Sequence, residues 1–219
     1  MVRALVFDVF GTLVDWRSTI ARAFRDSGLA GDPEELADAW RGRLWPITSE
    51  VNGGTRPWGN FDELQLATLD DLLAERQLEL PSEARRQLVA AWHTLDPWPD
   101  VRGGLEALRR KRIVAALSNG HVALLIDLAR HGDLRFDCLI SAEMARAYKP
   151  AREVYLIAVR LLGMQPDEVM LVAAHPFDLK GARRVGLQTA FIDRPLEHGS
   201  GSPAREDPGA DVSAGQLHE

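Results

Sequence analysis

The chain opens on an unbroken apolar run, Ala4-Leu5-Val6-Phe7, that stops at an acid, Asp8, and continues through Val9, Phe10, Leu13 and Val14. A short continuous run with β-branched and aromatic content is the pattern of a buried strand. From Asp15 the apolar spacing changes to threes and fours, the period of helices packed by one face. Ile20, Ala23 and Phe24 share one such face, and Asp32-Pro33 opens a second helix carrying Leu36, Trp40 and Leu44. A third helix over 61–73 carries Leu66, Leu69, Leu72 and Leu73, and Pro81-Ser82 starts a fourth with Leu88, Val89 and Trp92. Residues 51–60 hold Gly53, Gly54, Pro57 and Gly59 and read as a loop.

After Pro97 strands and helices alternate. Helices are expected over 101–111, 122–129, 153–162 and 179–185, and strands over 113–117, 138–140, 169–172 and 189–192. This alternation predicts an α/β fold, a doubly wound parallel sheet with helices on both faces. The core then comprises 1–14 and 98–196, interrupted after its first strand by a helical cap over 15–97. Residues 197–219 are rich in Gly, Ser, Pro and acids without periodicity, and are expected to be a disordered tail.

Composition narrows the function class. At 219 residues with 46% hydrophobic content the chain can bury a sizeable core. A net charge of −6 with dispersed basic residues argues against nucleic-acid binding. No apolar run reaches the roughly 18 residues that span a membrane, and Met1-Val2-Arg3 leads straight into the first strand without a signal peptide. One cysteine, Cys138, excludes an internal disulfide and fits a reducing cytoplasm. All six tryptophans fall between positions 16 and 98, and most are expected to fill the core of the helical insertion.

Asp8 ends a buried strand, where open α/β sheets place their ligands, and Gly11 permits the tight turn that follows. The other reading is a strand-end residue that caps a turn. Ser118-Asn119-Gly120 ends a later strand in the same way, as an anion-binding turn or simply a good N-cap. Asp8-Val9-Phe10-Gly11-Thr12 resembles the first motif of the haloacid dehalogenase superfamily, in which the leading Asp is a covalent nucleophile. Superfamily phosphatases carry a second Asp as general acid two residues on. Here Phe10 stands there, which resembles the L-2-haloacid dehalogenase branch. The resemblance extends over about 1–195. It implies that Ser118 binds a substrate carboxylate and that Asn119 helps hold a departing halide. Tyr148-Lys149-Pro150 matches the third motif, whose Lys sits near the nucleophile, and Tyr155 matches a site tyrosine.

His175-Pro176-Phe177-Asp178 occupies the place of the fourth motif, and Asp178 matches its acid, which organises the Lys and the hydrolytic water. The branch pattern Ser-Ser-Asn is replaced by Ala173, Ala174 and His175. His175 could orient water as Asn does, act as a base, or be a structural turn residue. One acid here and Phe10 in the first motif leave a Mg²⁺ site poorly furnished, so metal-independent chemistry without a cofactor is expected. In the cap, the resemblance places Arg41 against the halide and Phe61 near the leaving group. It implies hydrolysis of L-2-haloalkanoic acids to D-2-hydroxy acids and halide, with Thr12 and Lys149 orienting Asp8, in a homodimer. Two other readings stay open: a Mg²⁺-dependent small-molecule phosphatase of the superfamily, and a non-catalytic relative that binds a small acid.

Overall fold

A computed structural model describes residues 1–200 and 209–218. Its centre is a six-stranded, fully parallel sheet built from β1 (Ala4–Phe7), β4 (Ile113–Ser118), β5 (Cys138–Ser141), β6 (Val169–Ala173), β7 (Gln188–Ile192) and β8 (Val212–Ala214). The strand order is β5-β4-β1-β6-β7-β8. The strand named by the first apolar run is therefore central, and its four residues are buried. Ala4 to Phe7 register against Ile113 to Ala116 on one side and Val169 to Val172 on the other. This registry brings the ends of β1, β4 and β6 to one edge, so residues far apart in sequence meet beyond them.

The chain leaves the sheet through β2 (Val14–Asp15) and returns through β3 (Asp96–Pro97), a two-residue antiparallel ladder. Between them lie α1 (Trp16–Ser27), α2 (Pro33–Gly42), α3 (Leu44–Asn52), α4 (Phe61–Glu75) and α5 (Ser82–Ala91), then a short turn of 3₁₀ helix (Trp92–Thr94). Local signals start them. The Asp32 carboxylate accepts from the amides of Glu34 and Glu35 with Pro33 in the first turn, and Asn60 and Glu63 form a reciprocal capping box on α4. On the sheet side follow α6 (Val101–Arg109), α7 (Val122–His131), α8 (Arg152–Leu162) and α9 (Pro176–Arg184). Among the described residues no helix is long and apolar enough to cross a membrane.

Three expectations change. The helix expected to run through Leu44 breaks at Arg43 and restarts as α3, which absorbs Val51 and Asn52 from the expected loop. In one continuous helix the Pro46 ring would strike the carbonyl of Gly42, whereas in the first turn of a new helix its missing N–H costs nothing. Helix α9 begins three residues earlier than its apolar spacing suggested, because Pro176 supplies its first turn. The third change is the expected disorder of 197–219. Val212–Ala214 pairs in parallel with β7 and Leu217 is buried, while Glu197 is 1% exposed. The amide of Leu217 donates to Asp100 and that of Thr189 to Asp211, so the segment is held by partners its own composition does not announce. Residues 201–208 and 219, to which the same expectation applied, lie outside the described residues.

Of the tryptophans, Trp16, Trp40 and Trp92 are fully buried and pack against one another, as expected of a helical core, whereas Trp45 is 51% exposed.

Candidate active site

Asp8 follows β1 directly. Its amide donates to the carbonyl of Val172, so the neighbouring strand fixes its backbone. Its two carboxylate oxygens differ. Oδ2 accepts from the Thr12 hydroxyl at 2.7 Å and lies 3.0 Å from His175 Nδ1, whereas Oδ1 accepts only from Lys149 Nζ, at 3.2 Å, among the described residues. Thr12 is held in turn by the amide of Ala174, which donates to its Oγ1 at 3.0 Å.

Lys149 is buried and bridges two acids, since its Nζ also donates to Asp178 Oδ2 at 2.6 Å. Asp178 Oδ1 accepts from the Tyr155 hydroxyl at 2.6 Å. Gly181, one turn along α9, gives the tyrosine its room: a Cβ at that position would collide with the Tyr155 ring and hydroxyl. Thus Asp8, Thr12, Lys149, Tyr155, His175 and Asp178, brought together from separate stretches of the chain, form one bonded cluster.

The sequence reading missed Glu197. His175 Nε2 lies 3.0 Å from Glu197 Oε1, and the Trp16 indole N–H donates to that same oxygen at 3.0 Å. The line Glu197–His175–Asp8 therefore runs from the segment after β7 to the strand-end acid. Gly11 makes the approach possible. Its φ is +79°, and a side chain there would collide with the Glu197 carboxylate.

Burial and charge set the protonation states. Burial alone would raise the Asp8 carboxyl, but the Lys149 ammonium, His175 and the Thr12 hydrogen bond hold it well below the usual carboxylate range. Burial pulls Lys149 down, and the carboxylates of Asp178 and Asp8 outweigh it, so its ammonium is kept. Burial likewise disfavours charge on His175, yet the Glu197 and Asp8 carboxylates push it up to about 9. At neutral pH His175 is an imidazolium that donates from both nitrogens. Asp178 goes the other way: burial raises it, and the Asp8 charge adds to that against the pull of Lys149.

Above this cluster lies a cavity of about 200 Å³ whose walls include Arg41, Phe61, Asn119, Lys149, His175 and Glu197. The Asn119 amide oxygen accepts from the Lys149 backbone N–H at 2.8 Å, which leaves its NH₂ group as the end that can donate elsewhere. Arg41 sits in an aromatic cage, its guanidinium carbon 5.8, 5.6 and 5.9 Å from the ring centroids of Phe10, Trp16 and Trp92. Phe10 stacks on Phe61 with centroids 4.9 Å apart. Trp45 and Phe177, both exposed, meet edge to face at 5.0 Å and join α3 to the start of α9 beside the cavity. Three expected binding residues stand behind the cavity wall: Phe10 is buried against Arg41, Tyr155 is buried on Asp178, and Ser118 is fully buried with its hydroxyl accepting from the amide of Gly120, so Asn119 forms the wall at this turn.

A family model for haloacid dehalogenase-like hydrolases matches residues 2–186. The chain is 33% identical over 198 residues to (S)-2-haloacid dehalogenase 1 of Pseudomonas sp. (strain CBS-3), covering 88% of this chain and 85% of that protein. Its fold superposes on the crystal structure of the L-2-haloacid dehalogenase PA0810 with a TM-score of 0.93 at 44% identity, covering 99% of this chain and 96% of that one. The L-2-haloacid dehalogenase of Xanthobacter autotrophicus with chloropropionic acid covalently bound matches at a TM-score of 0.86 and 27% identity, over 100% and 96% of the two chains. With a strand-end Asp, a bridging Lys and a phenylalanine in place of the second acid, the chain belongs to the haloacid dehalogenase-like hydrolases, in their L-2-haloacid dehalogenase branch.

Proposed function

We propose that the chain hydrolyses short L-2-haloalkanoic acids to D-2-hydroxy acids and halide through an ester on Asp8. The observation that carries this is an ionised, buried Asp8 facing a small cavity that holds a caged arginine, with the Phe10 ring where a phosphatase would keep its acid. Three relatives' names speak of the same activity, one with its substrate covalently bound.

Asp8 Oδ1, the less engaged oxygen, attacks C2 from the side opposite the halogen, forms the C–O bond as the carbon–halogen bond breaks, and inverts the centre. Arg41 and the Asn119 NH₂ group receive the halide as its charge develops. The turn at 118–120, shaped by the buried Ser118 and facing the cavity at Asn119, takes the substrate carboxylate, and the Phe61 ring, stacked on Phe10, gives the leaving group a dry wall. Oδ2 becomes the carbonyl oxygen of the ester, still held by Thr12 and the His175 imidazolium. Those two donors stabilise the oxyanion when water adds to Cγ. Asp178, whose raised pKa makes it the stronger base, takes the proton of that water. Collapse of the tetrahedral intermediate expels the alkoxide, which takes the proton held on Asp178 and leaves as the D-2-hydroxy acid, and the Asp8 carboxyl loses the remaining water proton to solvent and is again a carboxylate. Tyr155 and Lys149 hold Asp178 in place throughout. Glu197 keeps the proton on His175, so His175 acts here as an electrophile rather than a base.

In this reading the helices between β2 and β3 form a cap that closes the cavity over the sheet, and the protein works as a cytoplasmic homodimer. The deciding experiment is halide release from L- and D-2-chloropropionate in EDTA, with Asp8→Asn as control. Release from the L isomer alone, lost in the variant, supports the proposal. Silence on both isomers, with Mg²⁺-dependent phosphate release from an aryl phosphate, refutes it in favour of a phosphatase.

A further inference from the structure

A second cluster of ligating side chains lies outside the Asp8 site. Asp62 is the second residue of α4, His93 belongs to the turn Trp92–Thr94, and His121 is the residue that caps α7. His93 Nε2 is 3.0 Å from Asp62 Oδ2, and His121 Nε2 is 3.7 Å from the same oxygen. One ligand atom from each of the three lies within 4.8 Å of the others.

The His121 side chain is nine-tenths buried, at 10% exposure. Its Nδ1 has no hydrogen-bond partner among the described residues, and its Nε2 points at Asp62 from beyond hydrogen-bond range. A buried imidazole so poorly satisfied is costly unless something binds it. The spacing says which ligand. Four-coordinate zinc with bonds of about 2.0–2.1 Å holds its ligand atoms about 3.3 Å apart, between the two separations found here. Outside the cluster, Asp127 Oδ2 lies 2.7 Å from His93 Nδ1, the carboxylate–histidine contact that orients a metal-binding imidazole. The cleft beside it, about 750 Å³ and lined in part by Asp62, His93 and Asp127, gives an ion a way in.

We propose that Asp62, His93 and His121 bind one divalent transition-metal ion of the zinc type, completed by water and oriented by Asp127. The ion ties α4, on the side of the chain between β2 and β3, to α7, which follows β4. Asp62 adjoins Phe61, and His121 comes two residues after Asn119, so the ion staples the two walls of the halide cavity from outside. It takes no part in the chemistry at Asp8, and its binding does not depend on whether the chain is a dehalogenase.

The full chain, stripped with EDTA and dialysed, is titrated with Zn²⁺ by calorimetry and with Co²⁺ by visible absorption. The expected result is one ion per chain, an intense tetrahedral Co²⁺ band, and a higher thermal midpoint with Zn²⁺. His121→Asn and His93→Gln should each weaken binding at least 100-fold, and Asp127→Asn by about 10–100-fold. Two single variants guard against one failing to fold, which circular dichroism reports. Absence of saturable binding up to millimolar Zn²⁺, binding that survives both histidine variants, or binding lost in Asp8→Asn instead would each overturn the proposal.

Discussion

Replacing Glu197 by Gln removes the carboxylate behind His175 while keeping its size and a hydrogen-bonding group. His175 stands at about 9 because two carboxylates, with Glu197 the leading one, overcome the burial that pulls it down. Without Glu197 the burial remains and only Asp8 opposes it, so His175 should fall from about 9 to near its ordinary value of about 6.5. That is about 3 kcal/mol of imidazolium stabilisation at 1.4 kcal/mol per pK unit, in line with the several kcal/mol that a buried charge pair loses with one partner. The effect grows once Asp8 is an ester, because alkylation removes its charge as well. Alkylation itself needs no proton on His175, so the burst of halide from the first turnover should persist in Glu197→Gln at about pH 8, between those two values. Hydrolysis needs the oxyanion donor, so steady-state turnover should drop about 100-fold and the Asp8 ester should accumulate. Rapid-quench halide measurement, mass spectrometry of the intact chain and a kcat–pH profile read these effects. In the unaltered enzyme the limb on which kcat falls with rising pH should lie below about 9, because the ester no longer carries the Asp8 charge, and in the variant that limb should move further toward acid. A variant profile that overlays the unaltered one, with no trapped ester, would refute the assignment of His175 as a cationic oxyanion donor.

Four further outcomes follow from the same geometry. Gly181→Ala should push Tyr155 off Asp178 and lower kcat for both half-reactions, with thermal unfolding showing a loss of about 1–3 kcal/mol from overpacking; unchanged stability and kcat would contradict the close contact. Phe10→Ala should cost about 3–5 kcal/mol in denaturant unfolding, because its ring fills the space between Phe61, Trp92 and the Arg41 guanidinium. Arg194→Ala breaks a buried pair with Asp100 and the donor to the Thr12 carbonyl, and a loss of about 3–5 kcal/mol is expected by the same measurement. The His175 pairing also links to stability. Its folded pKa is raised above the unfolded one, so its contribution is full below about 6.5 and disappears as pH rises through about 9. Urea midpoints across that window should fall in the unaltered chain and hold nearly level in His175→Asn.

The central strand, the order of strands and helices, and most of the bonded cluster around Asp8 were legible in the sequence, because each rests on local pattern. An apolar run ending in Asp8 reads as a strand-end acid whatever surrounds it, and Lys149, Tyr155 and Asp178 keep family spacing. His175 stood out as a departure, but its protonation did not, since the partner that sets it is 22 residues away. Glu197 carries no periodic or motif signal and lies in a stretch whose composition argues for disorder. What orders that stretch is tertiary: the edge of β7, the Asp100 carboxylate and the Trp16 indole. In the sequence Gly11 reads only as the residue that permits a turn after a strand, and its close approach to Glu197 is a fact of the tertiary structure. The break at Arg43 was legible in principle, since Pro46 forbids a continuous helix.

The Gly11–Glu197 contact closes the catalytic cluster across nearly the whole span between these positions, and this has a consequence for biosynthesis. Asp8 leaves the ribosome long before Glu197, the acid that raises the pKa of its neighbour His175. A chain cut at residue 186, where the match to the family ends, would retain Asp8, Lys149, His175 and Asp178 and still lack the proton-holding partner. Such a fragment would also lose β7 and the buried Arg194–Asp100 pair, so the limit of family resemblance is not a boundary at which the folded unit can be cut.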